Sequence, residues 1–376
     1  MKVAYLLGSL HRGGTETMVL DEFRNADKAP YVMICIHRKG GPYLDAYYAA
    51  GPKMIQCAPK RFGFVRYILN LRQILLREGA TIVHAQQALD CVYAWFATLG
   101  SKTRVVMTFH SYDIGLNGFN KFIRRWAIRM ADTVCFVSQA QRDYYIANYH
   151  IKQLDKLHVV YNGIDFSKFD CIKPSEDLKF EKDRVKLCMV GNFVRGRSQM
   201  VICKALQLLQ SQITNEKLQI TTLPSFDFYF IGRMDNAQAW RYDECVEYCN
   251  EHLLENVHFI GARSDVPALL KSMDGFIYST VHDTFGIAVV EAIASGLPIV
   301  VNDWVVMKEV CGVANEGIRY FKTDDARDAA DKIAELLANL EKSRKVAAAN
   351  AERVRNQYSI ENHIMRLNEI YSSMNE

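Results

Sequence analysis

YSTVHDTFGIAVVEAIASGLPIVVN, residues 278–302, carries two acidic side chains eight positions apart, Asp283 and Glu291, around a Phe285-Gly286 turn. Phe276, Ile277 and Tyr278 read as the end of a buried strand, and residues 279–284 form a polar loop. The apolar run 287–293 reads as a helix that Ser295-Gly296 and Pro298 end, because glycine supplies a left-handed cap and proline cannot continue. Ile299, Val300 and Val301 are the next strand. Strand, loop, helix and strand in this order make one unit of a parallel α/β sheet, whose ligands gather at strand C-termini and helix N-termini.

A helix starting near Gly286 turns the amides of Phe285, Gly286 and Ile287 into the loop, where the positive end of the dipole favours an anion. Glu291 lies one turn beyond Ile287 on the same face, and Asp283 sits just before the amides. Carboxylates accept from hydroxyls but repel phosphate, so an anion site between two of them fits a phosphorylated, hydroxyl-rich ligand such as a nucleotide sugar. A solvated helix residue and a plain loop residue are the alternative for Glu291 and Asp283.

Asp283-Thr284-Phe285-Gly286, followed by Glu291-Ala292, Ala294, Gly296, Pro298 and Ile299, resembles the E-G-F-G-x4-E-A-x-A-x-G-x-P-V signature of the family 4 retaining glycosyltransferases. The resemblance implies the GT-B fold, an α/β architecture of two Rossmann-like domains facing across a cleft. Asp283 stands where the family carries Glu, one methylene shorter, which keeps the charge and alters the reach to the sugar.

A chain of 376 residues supports two domains of ordinary size, and 49 % apolar with 23 % charged residues is a soluble composition. No apolar window is long enough to span a membrane, and the opening MKVAYLLGSLHRGG is too short in its apolar part for a signal peptide. The expected location is cytoplasmic, with peripheral attachment to the inner face of the plasma membrane left open. Ten cysteines, most of them in apolar runs, read as reduced thiols; Cys245 and Cys249 share a helix face without a second pair to complete a metal set. Residues 1–165 hold 21 Lys and Arg against 12 Asp and Glu, a net +9, while the rest of the chain carries −5. A basic first half suits an anionic surface or substrate, and no nucleic-acid module is present.

In chain order, residues 2–7 read as a strand leading into the glycine turn Gly13-Gly14 and a helix from about Thr15. This turn is neither a dinucleotide fingerprint nor a Walker loop. The family resemblance assigns Gly13 and Gly14 to the donor; a plain connection is the alternative. Residues 60–77, KRFGFVRYILNLRQILLR, hold five basic and no acidic residues at helical spacing, consistent with a helix packed on the sheet whose basic rim can meet lipid. Residues 121–129 repeat that character. The strand 105–109 ends at His110, which the resemblance places near the transferred sugar. Residues 158–165, HVVYNGID, resemble the element that closes the first domain.

The expected domains are 1–170, a linker 171–184, a donor domain 185–356 and a terminal helix 357–376 returning to the first domain. After the strand 185–190, Gly191 to Arg197 stands where the family carries V-G-R-L-x-x-x-K-G, so the family's Arg is Asn192 and its Lys is Arg197. A guanidinium can grip a diphosphate bidentately, with Arg195 as a neighbour. Gly232 and Arg233 end a further strand, where the resemblance puts nucleobase and ribose contacts.

These readings converge on a hexosyltransferase, and the family resemblance implies that it is a retaining one. It would move sugar from a UDP- or GDP-sugar to a glycan or lipid-linked acceptor of a bacterial surface polysaccharide, on a possible anionic membrane surface and with no nucleic-acid partner. His110, Asp283 and Arg197 are the expected catalytic groups. Gly13, Gly14, Asn192, Arg195, Gly232, Arg233, Phe285, Gly286, Ile287 and Glu291 are the expected donor contacts. No D-x-D triplet occurs, so no cofactor and no metal are expected. A nucleotide-sugar epimerase and a non-catalytic glycan- or partner-binding relative remain open, and a dinucleotide oxidoreductase is disfavoured by the missing fingerprint.

Overall fold

The computed structural model describes residues 1–11, 13–58, 63–170, 172–175, 181, 183–214 and 223–374, with side chains to 211 in the helix that ends at 214. Residues 60–62 of the first basic stretch, Arg12 of the glycine turn and part of 171–184 lie outside them. The chain divides into two units, Met1–Asp165 with Tyr358–Glu376, and Phe166–Gln357.

The first unit is built on a seven-stranded parallel sheet: β1 (Lys2–Leu7), β2 (Val32–His37), β3 (Lys53–Gln56), β4 (Ile82–Ala85), β5 (Arg104–Phe109), β6 (Thr133–Phe136) and β7 (Leu157–Val159), in the order β3-β2-β1-β4-β5-β6-β7. Strict alternation sends Val3, Tyr5 and Leu7 to one face and Ala4 and Leu6 to the other, and each set seeds its own core cluster. Helices cover both faces, as parallel sheets require. The basic stretch contributes the helix Phe64–Glu78, whose Tyr67, Leu71 and Leu75 are buried at helical spacing.

The helix Ile360–Ser373 covers the other face with Ile360, Ile364, Leu367, Ile370 and Tyr371. Gly163 makes the approach to it possible, since a Cβ there would lie 2.9 Å from Ile360 Cα. Beside that turn, His363 faces the Tyr161 carbonyl with Nδ1 at 2.6 Å and Glu22 Oε1 with Nε2 at 3.2 Å. Both partners are acceptors, so only the doubly protonated imidazolium satisfies both. Burial works against that charge, but the Glu22 carboxylate and the Tyr161 carbonyl hold the His363 pKa above its ordinary value. A pKa raised on folding stabilises fully below the unfolded value of about 6.5, and the contribution is lost as pH rises through the higher folded value. His363→Gln is therefore expected to cost about 2 kcal/mol near pH 6, with the gap to wild type closing at alkaline pH in denaturant melts. A gap independent of pH would show that His363 is neutral in the fold.

The second unit has six parallel strands: β8 (Val185–Val190), β9 (Phe226–Ile231), β10 (Val257–Phe259), β11 (Gly275–Tyr278), β12 (Ile299–Asn302) and β13 (Ile318–Phe321), ordered β10-β9-β8-β11-β12-β13. Its boundary falls at Phe166 rather than near 170. The Arg355 guanidinium lies 5.5 Å over the Phe166 ring, and Arg355 also donates to Asp170 at 2.5 Å, which fixes this segment to the second unit. The nine described cysteines are free and buried. Among the described residues no helix is long and apolar enough to cross a membrane.

Candidate functional site

Strand order reverses between β8 and β11 in the second unit, and the loops leaving these two strands meet there. Such a switch point opens a crevice at the strand C-termini. The two loops are stitched by backbone: Ser198 N–H donates to the Ser279 carbonyl at 3.1 Å and Val281 N–H to the Gly196 carbonyl at 2.9 Å. Gly196 has φ +89°, and a Cβ there would lie 2.2 Å from His282 Cβ. Asn302, fully buried at the end of β12, clamps the second loop by accepting from Thr280 N–H at 2.9 Å and donating to its carbonyl at 2.7 Å.

This stitching brings Arg197 and Asp283 together as an ion pair, Nη1 to Oδ2. Tyr278 donates its hydroxyl to the same Oδ2 at 2.6 Å, and the guanidinium lies 5.2 Å over the Tyr278 ring. The sequence reading gives Arg197 to the diphosphate and Asp283 to the sugar as separate groups; here each holds the other. Burial disfavours the Arg197 charge, yet Asp283 carries its pKa above the usual arginine value. Burial, then Asp283, pushes Tyr278 well above the usual phenol value, so it stays a donor. Arg197 Nε is buried without a hydrogen-bond partner. A buried donor left open in this way costs stability unless a ligand fills it.

Phe285 is buried, and Gly286 caps the helix Ile287–Ala294 with φ +86°; a Cβ there would lie 2.7 Å from Met307 Cε. Val289 and Val290 make the first bonds back to the Gly286 carbonyl, so the amides of Ile287 and Ala288 have no acceptor within the helix. Glu291, one turn on, is half-buried. Trp304 Nε1 donates to the Asp283 carbonyl at 3.1 Å and fixes the loop from the β12 side.

Asn192, standing where the family pattern carries a charged residue, ties two loops together. Its Oδ1 accepts from Arg233 N–H at 3.0 Å, joining the loops after β8 and β9. Gly232 permits that approach, since a Cβ there would lie 2.1 Å from the Gly191 carbonyl oxygen. The side chains of Arg195 and Arg233 are exposed at the rim, and the Arg195 amide donates to Gln238 at 2.8 Å. Gln199, buried, donates to the Gly191 and Asn192 carbonyls.

In the first unit, strand order reverses between β1 and β4. His110, following β5, meets Gln86, following β4, with Nε2 2.7 Å from Gln86 Oε1. Burial and the nearby His363 lower the His110 pKa to about 3, so its ring is neutral. Gln86 Nε2 is buried and unpartnered. Gly13 caps the helix Gly14–Arg24, and a Cβ on it would lie 2.4 Å from Glu16 Oε2, whereas one on Gly14 would meet open space.

Tyr278, Asn302, Gln199 and Gln86 were not singled out by sequence reasoning. Asn302 and Gln86 did leave a trace, each a polar residue closing or following an apolar strand. Tyr278 and Gln199 left none, since their partners Asp283, Gly191 and Asn192 come within reach only through the folded path of the loops that hold them.

The chain matches the model of Glycosyltransferase Family 4 over residues 12–168 and that of Glycosyl transferases group 1 over residues 173–354. It is 22 % identical to the N-acetyl-alpha-D-glucosaminyl L-malate synthase of Bacillus anthracis, covering 80 % of this chain and 77 % of that protein. It is 20 % identical to the UDP-Gal:alpha-D-GlcNAc-diphosphoundecaprenol alpha-1,3-galactosyltransferase of Escherichia coli, covering 84 % and 82 %. The crystal structure of Anabaena Alr3699/HepE in complex with UDP and glucose superposes with a TM-score of 0.83 at 17 % identity, over 99 % of this chain and 100 % of that one, and the shared fold is GT-B. With the two models matched in sequence order, each over one of the two parallel-sheet units, the chain belongs to the family 4 glycosyltransferases.

Proposed function

We propose that the protein transfers a hexose-type unit, with retention, from a UDP- or GDP-sugar to a lipid-linked or growing glycan of a bacterial surface polysaccharide. The transfer is metal-independent and takes place at the cytoplasmic side of an anionic membrane. The observation that carries this reading is the Arg197–Asp283–Tyr278 cluster at the head of the helix Ile287–Ala294, with Arg197 Nε lacking a partner. Supporting it, the Escherichia coli relative is named for a UDP-galactose donor and a diphosphoundecaprenol acceptor, and the Anabaena neighbour holds UDP and glucose.

As the anomeric bond breaks, negative charge grows on the leaving diphosphate. Arg197 Nε and the amides of Ile287 and Ala288 are donors fixed before that charge forms, so they stabilise it without reorganising. Asp283 keeps Oδ1 outside its two bonds and can accept from a sugar hydroxyl; Glu291 serves sugar or ribose from the same helix face. Asn192, Arg195, Gly232 and Arg233 border the donor along the loops after β8 and β9. Gly13 and Gly14 let backbone approach the diphosphate. His110, neutral and oriented by Gln86, contacts a hydroxyl of the transferred sugar.

The test pairs calorimetric titration of UDP, GDP, ADP and NAD, in the presence of a chelator, with donor turnover on a lipid-linked acceptor. One nucleoside diphosphate is expected to bind selectively. His110→Ala is expected to keep that affinity while losing about tenfold or more in transfer, as loss of an oriented hydrogen bond implies. Binding of NAD alone, or of none of the four, would remove the transferase reading. Equal loss of binding and transfer would make His110 a structural residue.

A further inference from the structure

The helices Phe64–Glu78, Ala88–Thr98 and Gly118–Met130 pack side by side over one face of the first sheet, burying Tyr67, Leu71, Cys91, Ala94, Ala127 and Ile128. Their outer sides are apolar where solvent should favour polar residues. Phe64, Val65, Leu69, Phe119 and Phe122 are all about half exposed or more, with Val65 at 66 % and Phe119 at 69 %. Half-buried rings join them into one ridge: Phe64 to Phe96 at 5.5 Å, Phe96 to Trp126 at 6.1 Å and Trp126 to Phe122 at 5.7 Å between centroids.

Cations flank this ridge. On the helix Gly118–Met130 the aromatic stripe of Phe119, Phe122 and Trp126 runs beside a stripe of Lys121, Arg125 and Arg129, and the helix carries no acidic residue. The carboxylates of the two neighbouring helices are already engaged, Glu78 by Lys53 and Arg77, and Asp90, buried, by Arg38. At the end of the basic stripe lies a cavity of about 490 Å³ lined by Arg125, Arg129, Tyr149, His150, Lys152 and Lys156, with no carboxylate on its wall. The Arg125 guanidinium sits 5.8 Å over the Tyr149 ring, and Lys156 is held by the carbonyls of Arg129 and Ala131. Like charges gathered around a concavity favour a bound anion.

We propose that the ridge and the cavity beside it are one surface that seats the first unit on an anionic phospholipid bilayer, the aromatic and aliphatic side chains entering the headgroup boundary and the cavity taking a lipid phosphate. Charge complementarity selects an anionic occupant, and exposed Val65 and Leu69 select a bilayer, because aliphatic groups gain from acyl chains and nothing comparable from a nucleic acid. This deepens the proposed transferase reading by giving its membrane association specific residues, and it rests on that reading only for its biological purpose.

The experiment is co-sedimentation of the full chain with vesicles of phosphatidylcholine alone and of phosphatidylcholine with phosphatidylglycerol. Two variants are carried in parallel, Phe119→Ser with Phe122→Ser, and Arg125→Glu with Arg129→Glu. Wild type is expected to pellet with the anionic vesicles only, and less so as salt rises. Each double variant should lose about tenfold in partitioning, as removal of two interfacial anchors or reversal of two cations implies. Thermal melts of the same samples report that each variant is folded, and nucleoside diphosphate titration tests the transferase reading separately. Equal pelleting with both vesicles, none with either, or double variants that bind like wild type would overturn the surface. A protein that pellets but binds no nucleotide keeps this surface and loses the transferase reading, while one that binds nucleotide without pelleting loses the surface alone.

Discussion

Arg197→Ala is expected to weaken nucleoside diphosphate binding by about 1.5–3 kcal/mol, roughly ten- to a hundredfold, because it removes the charge-assisted contact to the leaving group that the proposed function gives to Arg197. The loss in turnover should be at least as large, since charge on the diphosphate is greatest in the transition state. The Arg197–Asp283 pair adds a second consequence. Without the guanidinium, Asp283 keeps the Tyr278 hydroxyl but places an unneutralised carboxylate beside the incoming phosphates. Arg197→Lys restores the charge but not the planar fork, so it should recover part of the affinity. Titration of the diphosphate and of the bare nucleoside separates these effects: the diphosphate should weaken in Arg197→Ala and the nucleoside should not. Unchanged diphosphate affinity would take Arg197 out of the donor site.

Gly196→Ala is expected to damage the second unit's site through backbone strain and overpacking together. At φ +89° an alanine carries a left-handed penalty of about 1–2 kcal/mol, and its Cβ would overlap His282 Cβ at 2.2 Å. Overpacking of this kind adds roughly 1–3 kcal/mol where the neighbour cannot withdraw. His282 has little room to do so, because its loop is tied through Val281 N–H and the Thr280 hydroxyl to the Gly196 carbonyl itself. The variant should therefore melt earlier and lose donor affinity together, the loops parting along with the Arg197–Asp283 pair. A variant that melts early but binds donor normally would show that the pair survives without the stitching.

How much of this was legible beforehand differs by residue. The strand-loop-helix-strand unit at 278–302 was readable because each transition is marked locally, by polar residues, by Gly286 and by Gly296 with Pro298. The fold of both units followed from repeating that pattern, and the helix Ile360–Ser373 from its apolar spacing. The union of Arg197 with Asp283 was not readable: the two lie 86 positions apart, and what joins them is the adjacency of β8 and β11, a property of strand order. The Asn192 bond to Arg233 was hidden for the same reason. The family pattern marks position 192 for a charged residue, and only the packed loops reveal that an amide serves a backbone there instead. Residues 60–62, part of the basic stretch, lie outside the described residues, so the lipid reading rests on the helices themselves.

The return of Tyr358–Glu376 to the first unit makes the second unit an insertion within the first. A ribosome emits the strands of the first sheet in its opening 165 residues, yet the side chains that cover Tyr5, Tyr31 and Val106 emerge only after the second unit has been made. The part of that face left open by the helix Gly14–Arg24 therefore waits, apolar and uncovered, through the synthesis of the 192 residues of the second unit. Vectorial synthesis thus reverses the order of completion: the unit begun first is finished last, and the nascent chain is most in need of chaperone shelter during that interval.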